Sequence, residues 1–390
     1  MTDIHKNIQD AKNWFLSSRA QNLDNKDRYL HGSFSSWLNL DTNQYEYVYT
    51  EITGYGITSL LFLHELFGDE ILIDRARYAA DWIRRIAIEI CGGVRTRYYL
   101  DEKSNIDHYS FDTETTYTFD DGIVLFALTK LYMRTQDKKY LQLAEFIGNF
   151  LVGILQKQDG SFFASYDPIN KHFEDSPKKW STQSGSYHAK VAMGILSLYE
   201  VTREEKYKKS VMTFCEYALK QQTREGRFVT FRDTKGTHMH PHCYSAEGLF
   251  YTGTVLNEQR YIDAALRAAK WAISTQLEDG GVPCTYIHDV PNKNQRSDTL
   301  AQVLRLGVLA AQHGTLNDEE IAQIKKLKDK LAQYQLNDGP QKGGFLFGND
   351  FDGKKLHHVN SWCTMFALQG LLMYDLFFNK KKKIDFGLIV

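Results

Sequence analysis

Apolar residues recur at helical spacing in twelve stretches of the chain, at about 4–20, 51–67, 69–90, 119–135, 137–157, 187–202, 204–222, 242–256, 258–278, 297–313, 317–336 and 359–376. Two kinds alternate. Stretches such as Tyr187-His188-Ala189-Lys190-Val191-Ala192-Met193-Gly194-Ile195-Leu196 are apolar almost all round, as a helix buried on every side must be. Their successors, for example Glu204-Glu205-Lys206-Tyr207-Lys208-Lys209-Ser210-Val211-Met212, keep a charged face for water.

The connections alternate as well. Each buried helix runs to its amphipathic successor through a short polar turn, such as Phe67-Gly68-Asp69-Glu70 or Val201-Thr202-Arg203-Glu204. The return connections are long, and all six prolines fall between helical stretches. Each return carries a glycine followed by an extended, aromatic-rich segment: Gly32-Ser33-Phe34, Gly93-Val94-Arg95, Gly160-Ser161-Phe162, Gly226-Arg227-Phe228, Gly281-Val282-Pro283 and Gly344-Phe345-Leu346. Six copies of one unit predict an all-α (α/α)6 barrel, a six-hairpin toroid with short extended segments in its long loops. On this reading residues 1–378 form a single domain, helix 4–20 closes the ring, and 379–390 is a basic and apolar tail, solvated at Lys380 to Lys383.

Composition narrows the partners. Lys plus Arg is 47 and Asp plus Glu is 48, a net charge of -1, so no basic field exists to hold nucleic acid or an anionic membrane. Hydrophobic residues at 43% supply a large core, and no apolar run approaches the ~20 residues of a membrane span. Five scattered cysteines without a C-x-x-C pair point to reduced thiols, and the first residues lack a signal-peptide pattern; the expected location is cytoplasmic.

Phe119-Asp120-Asp121-Gly122-Ile123-Val124 followed by Tyr140-Leu141-Gln142-Leu143-Ala144 is similar to the Asp-bearing inner helix and following outer helix of the unsaturated glycuronyl hydrolases. The whole hairpin pattern resembles the α/α-barrel carbohydrate-active superfamily, which includes those hydrolases and the N-acylglucosamine 2-epimerases. The stretches from His240 to Leu249 and from Asn360 to Gln369 resemble helical proteins encoded with bacterial polysaccharide-biosynthesis genes. These resemblances imply a carbohydrate substrate.

All long loops lead into the N-termini of the buried helices, so that face has the chain to build a pocket. Helix N-termini favour an anion, which makes an anionic, uronic-acid-type sugar the natural substrate. Glu51 and Tyr55 lie on the first buried helix, and Asp120 and Asp121 open the second. One aspartate suffices as a cap; a second, held in an apolar setting, becomes a general acid or base. Tyr187, His188 and Lys190 open the third helix, where Lys190 opposes the helix dipole and so points to an anion.

The fourth opening is densest, with His238, His240, His242, Cys243, Tyr244 and Glu247. In an extended strand His-x-His-x-His puts three imidazoles on one side, as a metal site requires, but no Cys or His pair recurs at a matching spacing and no metal is assigned. Arg296 and Asp298 at the fifth opening are either a carboxylate clamp or an ion pair. The sixth offers His358, Asn360 and Trp362. Asp120, Asp121, His188, His242 and Glu247 are thus the catalytic candidates. Glu51, Tyr55, Tyr187, Lys190, His240, Tyr244, Arg296, Asp298, His358, Asn360 and Trp362 are the substrate-binding candidates, and no cofactor is expected. Two classes of function stay open: a glycoside hydrolase-like enzyme, epimerase or lyase acting on an anionic glycan, and a non-catalytic glycan-binding or assembly protein of polysaccharide biosynthesis.

Overall fold

A computed structural model of the chain describes residues 3–24, 27–100, 115–177, 179–350 and 352–390. Twelve α-helices run through the described residues: α1 (Ile4–Ser17), α2 (Thr50–Phe67), α3 (Ile71–Trp82), α4 (Thr118–Thr135), α5 (Lys138–Phe150), α6 (Ala189–Thr202), α7 (Glu205–Leu219), α8 (Met239–Leu256), α9 (Gln259–Ser274), α10 (Ser297–Gln312), α11 (Asp318–Ala332) and α12 (Ser361–Tyr374). The twelve apolar stretches are these helices. Two compact units divide them. One holds the hairpins α2–α3, α4–α5 and α6–α7; the other holds α8–α9, α10–α11 and α12 with α1.

Within each hairpin the two helices differ as the apolar pattern requires. Every residue of α12 is buried, whereas α9 buries Tyr261, Ala264, Ala265, Ala268, Ala269 and Ala272, a single stripe at i, i+3, i+4 and i+7. The largely buried helices α2, α4, α6 and α8 each end on a left-handed residue, Gly68, Gln136, Arg203 and Asn257, which stops the helix and starts the short turn. Helix α1 ends at Ser17 and not near residue 20, because Arg19 takes a positive φ of 65°. Helices α3 and α5 extend beyond their α-helical limits through π-turns at Ile83–Ala87 and Leu151–Leu155.

The long loops share one construction. A glycine at φ between +88° and +103° recurs at Gly32, Gly92, Gly160, Gly226, Gly280 and Gly343. Each turns the chain against an outer helix: a Cβ on Gly226 would stand 2.5 Å from the carbonyl oxygen of Arg267, and one on Gly160 2.7 Å from that of Thr213. Five glutamines brace these turns. Gln21, Gln156, Gln222, Gln276 and Gln335 each donate to the loop carbonyl at Gly32, Gly160, Gly226, Gly280 or Gly343 and to a carbonyl of a neighbouring outer helix.

Short antiparallel strands continue the loops. In the first unit Tyr47–Tyr49 pairs Arg97–Tyr99 with Tyr49 opposite Arg97, and Ser165–Asp167 lies between Thr116–Tyr117 and His172–Glu174. In the second Thr285–Ile287 lies between Val290–Asn292 and Thr237–His238, and Leu346–Asn349 pairs Lys355–Asn360.

The basic part of the tail faces solvent. Lys380 to Lys383 are exposed, but Ile384, Phe386, Leu388, Ile389 and Val390 are buried. Asp385 is exposed between buried Ile384 and Phe386, and after a turn at 387–388 the last three residues are all buried.

Candidate functional site

A second repeated slot explains several polar residues at the helix openings. The backbone N–H two residues after the left-handed glycine donates to a side chain in the first turn of the buried helix. Phe34 donates to Thr53 Oγ1 at 3.0 Å, Val94 to Asp121 Oδ1 at 2.7 Å, Phe228 to His242 Nδ1 at 3.1 Å and Phe345 to Thr364 Oγ1 at 3.0 Å. Asp121 and His242 therefore hold loops where two other repeats use threonine. His242 spends its second nitrogen on the carbonyl of Ala268 at 3.1 Å, and burial lowers its pKa to about 4. Neither Asp120 nor Asp121 caps α4, whose N-cap is Tyr117.

In the first unit the chemistry gathers around Asp120, which is buried, and Glu51, which is half-buried at the start of α2. Asp120 Oδ2 accepts from Thr96 Oγ1 at 2.6 Å. Burial pushes Asp120 up to about 7 against the pull of Thr96 and Arg97. Glu51 is pushed up to about 8, first by burial and then by the charge of Asp120, although Tyr49 and Tyr55 both hydrogen-bond to it. Helices α2 and α4 bring the pair together through a close approach, since a Cβ on Gly54 would stand 3.1 Å from Ile123 Cγ2. The cation of this cluster is Arg97, buried and stacked over Tyr47 at 5.2 Å and Tyr49 at 4.9 Å. Sequence reasoning missed Thr96, Arg97, Tyr47 and Tyr49. Their signal was the period-two spacing of Tyr47-x-Tyr49 and Arg95-x-Arg97, which places Tyr49 and Arg97 opposite each other across two strands.

His188 and Tyr187 occupy a 3-10 turn, Ser186–His188, ahead of α6. The His188 ring lies against Phe162 and Tyr187, both nitrogens are buried with no hydrogen bond among the described residues, and burial lowers its pKa to about 3. Lys190 is engaged by the backbone oxygen of Val390 at 3.1 Å.

In the second unit Asp298 is the hub. Arg296 grips it with two nitrogens, Trp362 Nε1 donates at 3.2 Å, and His240 Nδ1 lies 3.6 Å away. The Arg296 guanidinium is the largest influence opposing burial and holds the Asp298 carboxyl well below the usual carboxylate range. Of the two sequence alternatives for Arg296 and Asp298, the ion pair is the one present, and it is buried. His240 Nδ1 meets Gln302 Oε1 at 2.6 Å, its ring packs on Tyr244 at 4.5 Å, and burial lowers its pKa to about 4. Glu247 is bound by Arg305 at 2.7 Å, and Arg305 also donates to Gln369 at 3.0 Å. Asn360 caps α12 through the N–H of Cys363, and the His358 ring lies 5.4 Å from Phe347.

The three histidines of the His-x-His-x-His pattern do not share a strand. His238 ends Thr237–His238 and caps α8, accepting from the N–H of His240, while His240 and His242 lie inside the helix. Residues two apart on a helix point about 200° apart, so the side-by-side imidazoles that an extended strand offers a metal are absent.

No family profile matches the chain, and no curated protein matches it. Solved structures do. Cellobiose 2-epimerase from Bacillus thermoamylovorans B4167 superposes with a TM-score of 0.76 at 10% identity over 94% of this chain and 99% of its own. Unsaturated glucuronyl hydrolase from Bacillus sp. GL1 gives a TM-score of 0.66 at 16% identity over 95% and 96%. An inactive variant of an α-1,6-mannanase from Salegentibacter sp. HEL1_6, in complex with α-1,6-mannotriose, gives 0.62 at 12% identity over 96% and 99%. The chain has the all-α (α/α)6-barrel fold. That is the fold of these neighbours, which are members of the α/α-barrel superfamily. Among the described residues, no helix is long and apolar enough to cross a membrane.

Proposed function

We propose that this protein is a carbohydrate-active enzyme that acts on an anionic, uronic-acid-type glycan by acid/base chemistry at Glu51 and Asp120. One observation carries the reading: two carboxyl groups on packed helices, Glu51 pushed up to about 8 and Asp120 to about 7, chiefly by burial, with the charge of Asp120 raising Glu51 further. Near neutral pH such a pair holds one proton to give and one site to receive it, which is what glycoside hydrolysis needs. Glu51, the weaker acid, donates to the leaving oxygen; Asp120 takes the proton of the attacking water. Arg97 supplies the positive charge beside them that a substrate carboxylate would use. The mannanase neighbour is inactive with two consecutive aspartates replaced by asparagine, and this chain carries Asp120-Asp121 at the start of α4. The glucuronyl hydrolases among the neighbours support the uronic acid.

A second reading, C2 epimerisation, is favoured by His240, kept neutral by burial and oriented by Gln302 beside Asp298. A panel of unsaturated and saturated uronides, cellobiose and mannosides, followed by mass spectrometry in D2O, separates the two. A shorter sugar marks hydrolysis and carbon-bound deuterium marks epimerisation. Binding without turnover of any sugar would leave the non-catalytic role in possession.

A further inference from the structure

We infer that the segment Ile384–Val390 is a built-in strap that positions the buried charge network at Arg305 and Glu247, and that Gln369 is the residue through which it acts. The segment is held by side chains of two largely buried helices. Gln312 of α10 binds Ile384 twice, accepting from its N–H at 2.6 Å and donating to its carbonyl at 3.1 Å. Gln369 of α12 donates to the carbonyl of Leu388 at 2.8 Å. Phe386 packs edge-on against Phe250 of α8 with ring centroids 5.3 Å apart. Three helices of one unit thus hold Ile384, Phe386 and Leu388, with one part-buried and one buried glutamine spending their amides on the segment's backbone.

Those glutamines do not serve the strap alone. Gln369 turns its amide nitrogen to Leu388 and its oxygen to Arg305 Nη1 at 3.0 Å, so the strap fixes which way the amide faces. Arg305 in turn binds Glu247 at 2.7 Å and covers the Phe366 ring at 4.5 Å. Phe366 stacks on His240, and Glu247 contributes to the electrostatics of His240. The chain of contacts runs from Leu388 through Gln369 and Arg305 to the surroundings of His240. Glu247 is accordingly a structural carboxylate, neutralised by a fully buried arginine.

The functional half of this inference rests on the proposed carbohydrate activity; the structural half does not, and the test separates them. A specific protease site placed in the exposed Lys380 to Lys383 stretch allows the full chain to be nicked after folding. In the nicked protein the Ile384–Val390 peptide should co-elute through gel filtration, identified by mass. Gln369→Leu, which keeps the volume and removes both bonds, should release the peptide and speed amide exchange in α10 and α12. Release of the peptide from the nicked wild-type protein, with exchange in those helices unchanged, would overturn the strap. Where turnover runs through His240, as in the epimerisation reading, loss of the peptide should lower kcat at least tenfold with KM changed less, and synthetic Ile384–Val390 peptide should restore it. A retained peptide and the expected exchange, in a protein that turns over no sugar, would refute the activity and leave the strap standing.

Discussion

Asp120 and Asp121 sit side by side in the chain and do different things. Burial raises the Asp121 carboxyl well above its ordinary range, and its Oδ1 accepts from the Val94 N–H. Asparagine keeps an acceptor oxygen for that N–H, so Asp121→Asn should change the melting temperature little and keep turnover within about threefold. Asp120→Asn removes a titrating group and should lower turnover by about 10²–10⁴-fold at an unchanged circular dichroism spectrum. The pair also sets a pH dependence. A carboxyl raised above its unfolded value binds more protons folded than unfolded, so stability falls as pH rises through the window between the two values. Buried His188, His240 and His242, lowered to about 3, 4 and 4, act in the opposite sense, but only below their unfolded value near 6.5. Between pH 6.5 and 8 the carboxyls of Glu51 and Asp120 dominate, and denaturant melts should show stability falling across that range. The decline should be shallower in Glu51→Gln, and an equal slope would show that Glu51 is not raised.

At the scale of the element, the fold was legible because the loop construction repeats. The alternation of all-round apolar and one-faced helices placed the six buried helices near 51, 119, 187, 242, 297 and 359, and they begin at 50, 118, 189, 239, 297 and 361. Three of the six turn glycines were misplaced by one residue. Each of those loops has two consecutive glycines, 92–93, 280–281 and 343–344, and only the backbone path decides which takes positive φ. The polar slots were harder to read for a related reason. An Asp or His that binds a loop N–H looks in sequence like one that binds a substrate; Thr53 and Thr364 in the same slot are the clue, visible once the repeats are in register. The glutamine braces make the repeat testable. Gln335 binds the carbonyls of Asn7 and Gly343 and accepts from Asn7 Nδ2, all buried, so Gln335→Ala should cost about 2–4 kcal/mol by urea unfolding. Gly226→Ala meets both a φ of +102° and the Arg267 carbonyl, and it should cost more than the ~1 kcal/mol of an unstrained glycine replacement.

Over the whole molecule the charge is -1, so any preference for an anionic sugar is local and not a property of the protein's field. Two arginines stand as alternatives for that local charge, and their surroundings decide between them. Arg296 is matched by Asp298 in a buried bidentate pair, and removing it strands a carboxylate in the interior. Arg296→Met should therefore cost about 3–5 kcal/mol of stability and impair every substrate alike. Arg97 stands over two tyrosine rings, and its charge pulls on both the Glu51 and the Asp120 carboxyls. Arg97→Met should weaken kcat/KM for a uronide by at least tenfold more than for the matching neutral glycoside, because the lost attraction is to the substrate's charge. Salt separates this from long-range steering. Screening at about 8–10 Å leaves a buried contact largely intact, so kcat/KM of the wild type for the uronide should fall by less than about threefold between 50 and 500 mM NaCl. A steeper fall would place the discriminating charge on the surface, and equal losses for uronide and neutral sugar in Arg97→Met would take the anion specificity away from Arg97.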